Sequence, residues 1–148
     1  MDINLSQAEA EALIAMHKHR INDDRHDYPY VGGALRIPLA SEDRREDFML
    51  DITRGRIELT KCTFQNRARH IIGLIRVDVG GSIHRNPDNA WIPCPHIHIY
   101  REGFGVKWAF PLPPDRFTNP DNQWLTLQEF MRYCNIVNPP NITGRLII

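Results

Sequence analysis

Residues 70 to 79, His70-Ile71-Ile72-Gly73-Leu74-Ile75-Arg76-Val77-Asp78-Val79, decide the fold. Alternate side chains of a strand face opposite ways. In that register Ile71, Ile75, Val77 and Val79 share one face, while Ile72 and Leu74 give way to Arg76 and Asp78 on the other. A strand apolar on both faces early and polar on one face late runs from the middle of a sheet into a cleft. It would deliver Arg76 and Asp78 toward whatever the cleft holds.

The next strand signal is Cys94-Pro-His-Ile-His-Ile-Tyr-Arg-Glu102, where Cys94, His96, His98 and Tyr100 occupy every second position. One face would carry a thiol, two imidazoles and a phenol, and the other Ile97 and Ile99 turned to the core. Reactive groups so clustered make this face the first candidate for a site. Arg101 to Gly105 is a tight connection that leads into Val106 to Phe110, an antiparallel partner.

Further out, the spacing predicts a helix from Gln7 to Arg20, with Ser6 and Glu9 as a capping box and Leu5 stapled onto Ala10. Ala10, Leu13, Ile14 and His17 share its inner face. Leu35, Ile37 and Leu39 alternate as a strand that Pro38 pushes toward a sheet edge, and the charged segment 41–48 is a solvated turn. Residues 48–52 and 56–64 read as strands joined by Thr53-Arg54-Gly55. A second helix begins at Asp121 or Asn122, with Trp124, Leu127, Met131 and Cys134 on one face and Phe130 beside it. The tail 136–148 ends in Leu146-Ile147-Ile148, an apolar terminus suited to docking. The sum is one α+β domain over residues 1–148. Its core is a five- or six-stranded, mostly antiparallel sheet flanked by an N-terminal and a C-terminal helix.

Composition narrows the function. A chain of 148 residues buries a substantial core without disulfide support. Its 18 basic and 18 acidic residues cancel, so any electrostatic argument must be local. There is no secretory signal and no apolar run of membrane-spanning length, which argues against a membrane partner. Cys62, Cys94 and Cys134 form no CxxC pair, and a reducing cytoplasm is the simplest setting.

Three chemistries fit the histidine stretch. Histidines at i and i+2 on one strand face can reach one metal ion, with Cys94, His84 or Asp88 completing a tetrahedral zinc set. Metal-free cleavage of RNA, the leading expectation, needs a base, an acid and cations for the phosphate. His96, His98, His84 and Tyr100 would serve the proton steps. Lys61, Gln65, Arg67, Arg76, Arg101 and Lys107 would hold the nucleic acid, with no cofactor. From Arg54 to Arg76 there are six Lys or Arg residues and one acid, a local charge of +5. The third possibility is structural: these side chains hydrogen-bond loop carbonyls, Asn86-Pro87-Asp88 is a turn, and Trp91 and Trp108 pack beneath it.

Through RGRIEL (54–59), QNR (65–67), HRNPD (84–88), IPCPHIHIYREG (92–103) and KWAFPLP (107–113), the chain resembles a family of small uncharacterised bacterial and prophage proteins. Asn89 stands where that pattern leads one to expect glycine. More loosely, the PHIH core is similar to proline-histidine motifs of small proteins suspected to belong to toxin-antitoxin systems. The resemblance implies a mobile-element setting, with either an RNA substrate or a protein partner such as an antitoxin or an inhibited target.

Overall fold

The computed structural model describes residues 4–144. In chain order the elements are α1 (Gln7–Ala15), β1 (Lys18–Arg20), β2 (Arg25–Asp27), β3 (Ala34–Ser41), β4 (Asp47–Arg54), β5 (Cys62–Ala68) and β6 (Ile72–Val79). There follow β7 (His84–Arg85), β8 (Trp91–Ile92), β9 (His96–Ile99), β10 (Ala109–Pro111), α2 (Gln123–Tyr133), β11 (Ile136–Asn138) and β12 (Asn141–Thr143). The main sheet has eight strands in the order β10-β9-β6-β5-β4-β3-β1-β11. All its pairings are antiparallel except β1 with β11. Two small two-stranded sheets, β12-β2 and β7-β8, complete it. The expected α+β architecture is present, with more strands than the five or six expected. The extra ones are pieces of two or three residues, too short for a period-2 pattern to register.

Side-chain alternation sorts the sheet into two faces. Phe48, Leu50 and Ile52 of β4, Phe64 and Ala68 of β5, Val77 of β6 and Ile97 of β9 are all buried in one core. Leu13 of α1 and Leu127, Phe130 and Met131 of α2 pack into the same core, with Phe64 and Phe130 ring to ring at 5.9 Å. Both helices therefore lie on one side. The intervening residues of β4, β5, β6 and β9, among them Thr53, Thr63, Gln65, Arg76, Asp78 and His96, face the other.

The 70–79 stretch departs from strict alternation at one point. Opposite Asn66 sits Ile75, but opposite Arg67 sits Gly73, so Leu74 is an extra residue in β6, a β-bulge. The bulge resets the phase. Ile72 and Ile75, three apart, then both face the core, and Ile71 falls outside the strand, half exposed.

Several boundaries move for similar local reasons. The capping box at Ser6 and Glu9 forms, but α1 ends at Ala15 because Met16 turns extended (ψ 138°). Strand alternation then turns Lys18 inward and leaves His17 exposed, not packed on a helix face. Pro38 lies on an interior strand, which is tolerated because β1 pairs only with Leu39 to Ser41 and leaves β3 locally an edge at Pro38. The link from β4 to β5 is the longer loop 55–61, in which Ile57 and Leu59 are exposed. Asn89 takes φ +71°, the left-handed region where glycine is expected. In the tail, β11 and β12 dock on β1 and β2, while the expected docking of Leu146 to Ile148 lies outside the described residues.

Lys18 has no exposed surface. Its ammonium donates to three carbonyls, Ile14 O at 3.0 Å, Met16 O at 3.1 Å and Cys134 O at 2.7 Å. These are groups that the ends of α1 and α2 leave without helical partners. Phe48 lies under the ammonium at 4.9 Å. Among the described residues no helix is long and apolar enough to cross a membrane.

Candidate functional site: a carboxylate between two imidazoles

On the helix-free face, β6 and β9 run antiparallel with Asp78 opposite His96 and Arg76 opposite His98. The register brings four charged or titratable side chains together. His96 Nε2 lies 3.0 Å and His98 Nε2 3.1 Å from the same atom, Asp78 Oδ2. Arg76 bonds both oxygens of that carboxylate, Nε to Oδ1 and Nη2 to Oδ2, each at 3.1 Å. Its Nη2 also lies 3.0 Å from His98 Nε2, and Thr63 donates to Oδ1 at 3.2 Å. Burial alone would push the Asp78 carboxyl up. Its close polar contacts with His96 and His98 and the Arg76 guanidinium more than reverse this and hold it well below the usual carboxylate range.

The remaining ring nitrogens fix the imidazoles. His98 Nδ1 is 2.8 Å from Val106 O and His96 Nδ1 is 3.3 Å from Pro93 O. A carbonyl oxygen only accepts, so each Nδ1 donates. His84, from β7, packs its ring edge-on at 4.6 Å from that of His98 and places Nε2 2.7 Å from Lys107 O. His98 is fully buried beneath this cover, and His96 is 2% exposed. The Cys94–Pro95 peptide at the start of β9 is cis.

The centre forms one wall of a cleft of about 510 Å³ that is also lined by Thr53, Lys61, Thr63, Gln65, His84 and Cys94. Gly80 and Gly81, both with positive φ, end β6 and let loop 55–61 approach, with Thr60 O only 3.0 Å from where a Cβ on Gly80 would stand. That close approach sets Lys61 at the rim. Of the expected site residues, His96, His98, His84, Arg76, Lys61 and Gln65 converge here, with Cys94 beside them.

Tyr100 does not join them. It follows the end of β9, is buried, and its hydroxyl donates to Leu5 O and accepts from Leu5 N, both at 2.8 Å. Period-2 extrapolation carried it one step past the strand. Tyr100→Phe is expected to cost about 1 to 2 kcal/mol of stability through the unpaired Leu5 peptide. It should leave any activity of the cleft unchanged, which urea unfolding and an assay on the same sample check.

The basic segment is also largely committed. Arg67 forms a two-pronged pair with Asp51, and Arg69 pairs with Glu46 at the charged turn. Arg54 donates to Pro29 O and lies over Tyr28. Asn66 is buried in the core and donates to Met49 O. Arg101 stacks on Trp108, 4.5 Å from its ring centre, and Lys107 reaches the site through its carbonyl. The local +5 therefore contributes mainly Lys61 and Arg76 to the cleft. The Cys94 thiol is pushed up by partial burial and then by the Asp78 charge, which keeps it protonated at neutral pH. Asp88 caps its own turn through Ala90 N and takes no part. The residue underweighted in the sequence is Asp78, whose opposition to His96 becomes visible only once β6 and β9 are known to pair.

Among curated proteins and among solved structures, none matches the chain. Residues 5–136 match the family of unknown function DUF6978, and the chain belongs to that family.

Proposed function

We propose that this cleft binds RNA and cleaves its phosphodiester backbone, in the cytoplasm and in the setting of a mobile element or toxin-antitoxin system. The observation that carries the reading is the meeting of His84, Lys61 and the Asp78–His96–His98 centre around one cleft on the open face of the sheet. His84 donates Nε2–H to Lys107 O, which leaves Nδ1 as the nitrogen able to accept a proton. It takes the 2′-hydroxyl proton. The oxygen bonds phosphorus, the P–O5′ bond breaks, and O5′ picks up a proton from water in the open cleft. Lys61 and the charged centre offset the negative charge gained by the phosphate. The products are a 2′,3′-cyclic phosphate and a 5′-hydroxyl.

The test is incubation of purified protein with total RNA and with single-stranded oligonucleotides, the ends identified by mass. The wild type is expected to cut with those ends, and His84→Ala and Lys61→Ala each to slow cutting by about 100-fold. A wild type inert on every RNA overturns the reading.

A second reading, a docking protein that inhibits a host or phage machine, is favoured by loop 55–61. Ile57 there is 93% exposed and Leu59 61%, and side chains that exposed serve best when a partner covers them. It expects a specific partner protein, such as an antitoxin or an inhibited target. Its binding would be lost in Ile57→Asp and kept in His84→Ala.

A further inference from the structure

The geometry points to a divalent transition-metal site at the centre: Asp78 Oδ2, His96 Nε2 and His98 Nε2 hold one ion, zinc by preference, with its open coordination position turned to the cleft. This deepens the function proposed above by naming what the centre holds, and it rests on that reading only for the ion's use in cleaving RNA. It departs from both earlier metal expectations, a site without metal and a set completed by Cys94, His84 or Asp88.

The donor set is two imidazole nitrogens and one carboxylate oxygen, all within 4.8 Å of one another. Two of the three separations are 3.0 and 3.1 Å. Ligands on a tetrahedral ion at about 2.0 to 2.1 Å stand about 3.3 Å apart, so each imidazole need move only a few tenths of an ångström from the carboxylate oxygen, with the two ring nitrogens swinging toward each other to close on the ion. The set is also the borderline-hard one that zinc and its neighbours take with a water in the remaining place.

Tautomers carry the argument further. Val106 O and Pro93 O claim the Nδ1 protons of His98 and His96. This is the outer partnership that fixes ligand histidines and leaves Nε2 with its lone pair for a metal. For His98 the assignment has a second support, because Arg76 Nη2, which can only donate, lies 3.0 Å from Nε2. Lone pairs aimed at one carboxylate oxygen from 3.0 and 3.1 Å repel unless a cation lies between them, and Arg76 Nη2 bridges only the His98 side. Protonating both rings would supply it, but would crowd two buried imidazolium ions and a guanidinium around one carboxylate. A single ion supplies the cation and leaves both rings neutral. Arg76 and Thr63, bonded to Oδ1, then orient the ligand carboxylate.

Cleft access fits this arrangement. Asp78 and His96 line the cleft, whereas His98 closes the inner side. An incoming oxygen therefore meets the ion from the cleft, where a metal lowers the cost of losing a proton.

The test is titration of chelator-stripped full-length protein with zinc and separately with cobalt, read by calorimetry and by the visible absorption of bound cobalt. The wild type should take up one equivalent of either metal and melt at a higher temperature for it. Asp78→Asn and His96→Gln should each weaken uptake by more than the roughly 10- to 100-fold that loss of an outer partner costs, while Cys94→Ser keeps it. A wild type that takes up neither metal overturns the site and leaves Arg76 as the centre's own cation. Full uptake by Asp78→Asn overturns it too. The two readings fail separately. A zinc-binding protein inert on RNA removes the substrate and keeps the site, whereas RNA cutting unchanged in stripped, chelated protein keeps the substrate and removes the ion's part in cleavage.

Discussion

Lys18→Ala is expected to lower the stability of the protein by about 3 kcal/mol at pH 7, as urea unfolding beside the wild type would read it. Met16 O and Cys134 O lose their donor, and Ile14 O keeps only Asn135 Nδ2. Each unpaired group costs about 1 to 3 kcal/mol, and loss of the aliphatic stem over Phe48 adds a cavity. Against this stands relief from burying a charge, which pulls the Lys18 ammonium down to about 8 from its usual 10.5 and is worth about 3 kcal/mol. The unpaired carbonyls and the cavity outweigh the relief. Lys18→Met keeps the stem and isolates the ammonium. The unfolded chain holds the Lys18 proton to about 10.5 and the folded chain to about 8, so between these values unfolding takes up a proton and raising the pH favours the fold. The margin of wild type over Lys18→Met should therefore widen from pH 8 to 10.5, by about 3 kcal/mol. Cys62, pushed up by burial to about 11, loses stability with rising pH in both proteins, and Cys134, pushed up by burial to about 12 even with the Lys18 charge pulling it down, stays protonated in both folded proteins up to pH 10.5, so both cancel in the difference. A margin that stays flat would mean that the three carbonyls keep the ammonium charged throughout.

The second large effect is expected of Asp78→Asn: if the cleft cleaves RNA as proposed, cleavage should fall by about 10²- to 10⁴-fold with the fold retained. The carboxylate accepts from Thr63 and Arg76 and faces Nε2 of His96 and His98. An amide of the same shape has one acceptor oxygen and turns N–H groups toward neighbours that donate or that offer lone pairs to a cation. Charge, not volume, is removed. The loss should therefore appear in turnover under saturating RNA, measured below a melting temperature that itself falls because the charged acceptor of Arg76 and Thr63 is gone. Cleavage within tenfold of wild type would sink the assignment of Asp78 to the chemistry.

Much of this arrangement was legible before any coordinates. The capping box, the 70–79 strand, the i, i+2 histidines and the apolar stripe of α2 each follow from a period that one segment carries by itself. The misreadings share a different cause. Extending a period beyond a strand end or across a bulge misplaces Tyr100 and Ile71, and neither boundary has a sequence signal as strong as a proline or a cap. Arg67, Arg69 and Arg101 looked free because their partners, Asp51, Glu46 and Trp108, come from other strands or from across a connection. Lys18 left no signal at all. A lysine reads as solvated until two helix ends are seen to converge on it.

The partnership of β1 with β11 sets an order on assembly. Lys18 stands opposite Ile136 in that pairing, and the Lys18 ammonium meets Cys134 O across 116 positions of sequence. Closing so long a loop is entropically costly and returns nothing until the contacts are made. The β3-β4-β5-β6 meander, whose neighbours are joined by short connections, has no such delay. During synthesis the meander can gather first, with β1 exposed as an unpaired edge. It stays a site for unwanted pairing until residues past 134 have left the ribosome, when a single pairing seals the edge and satisfies the ammonium.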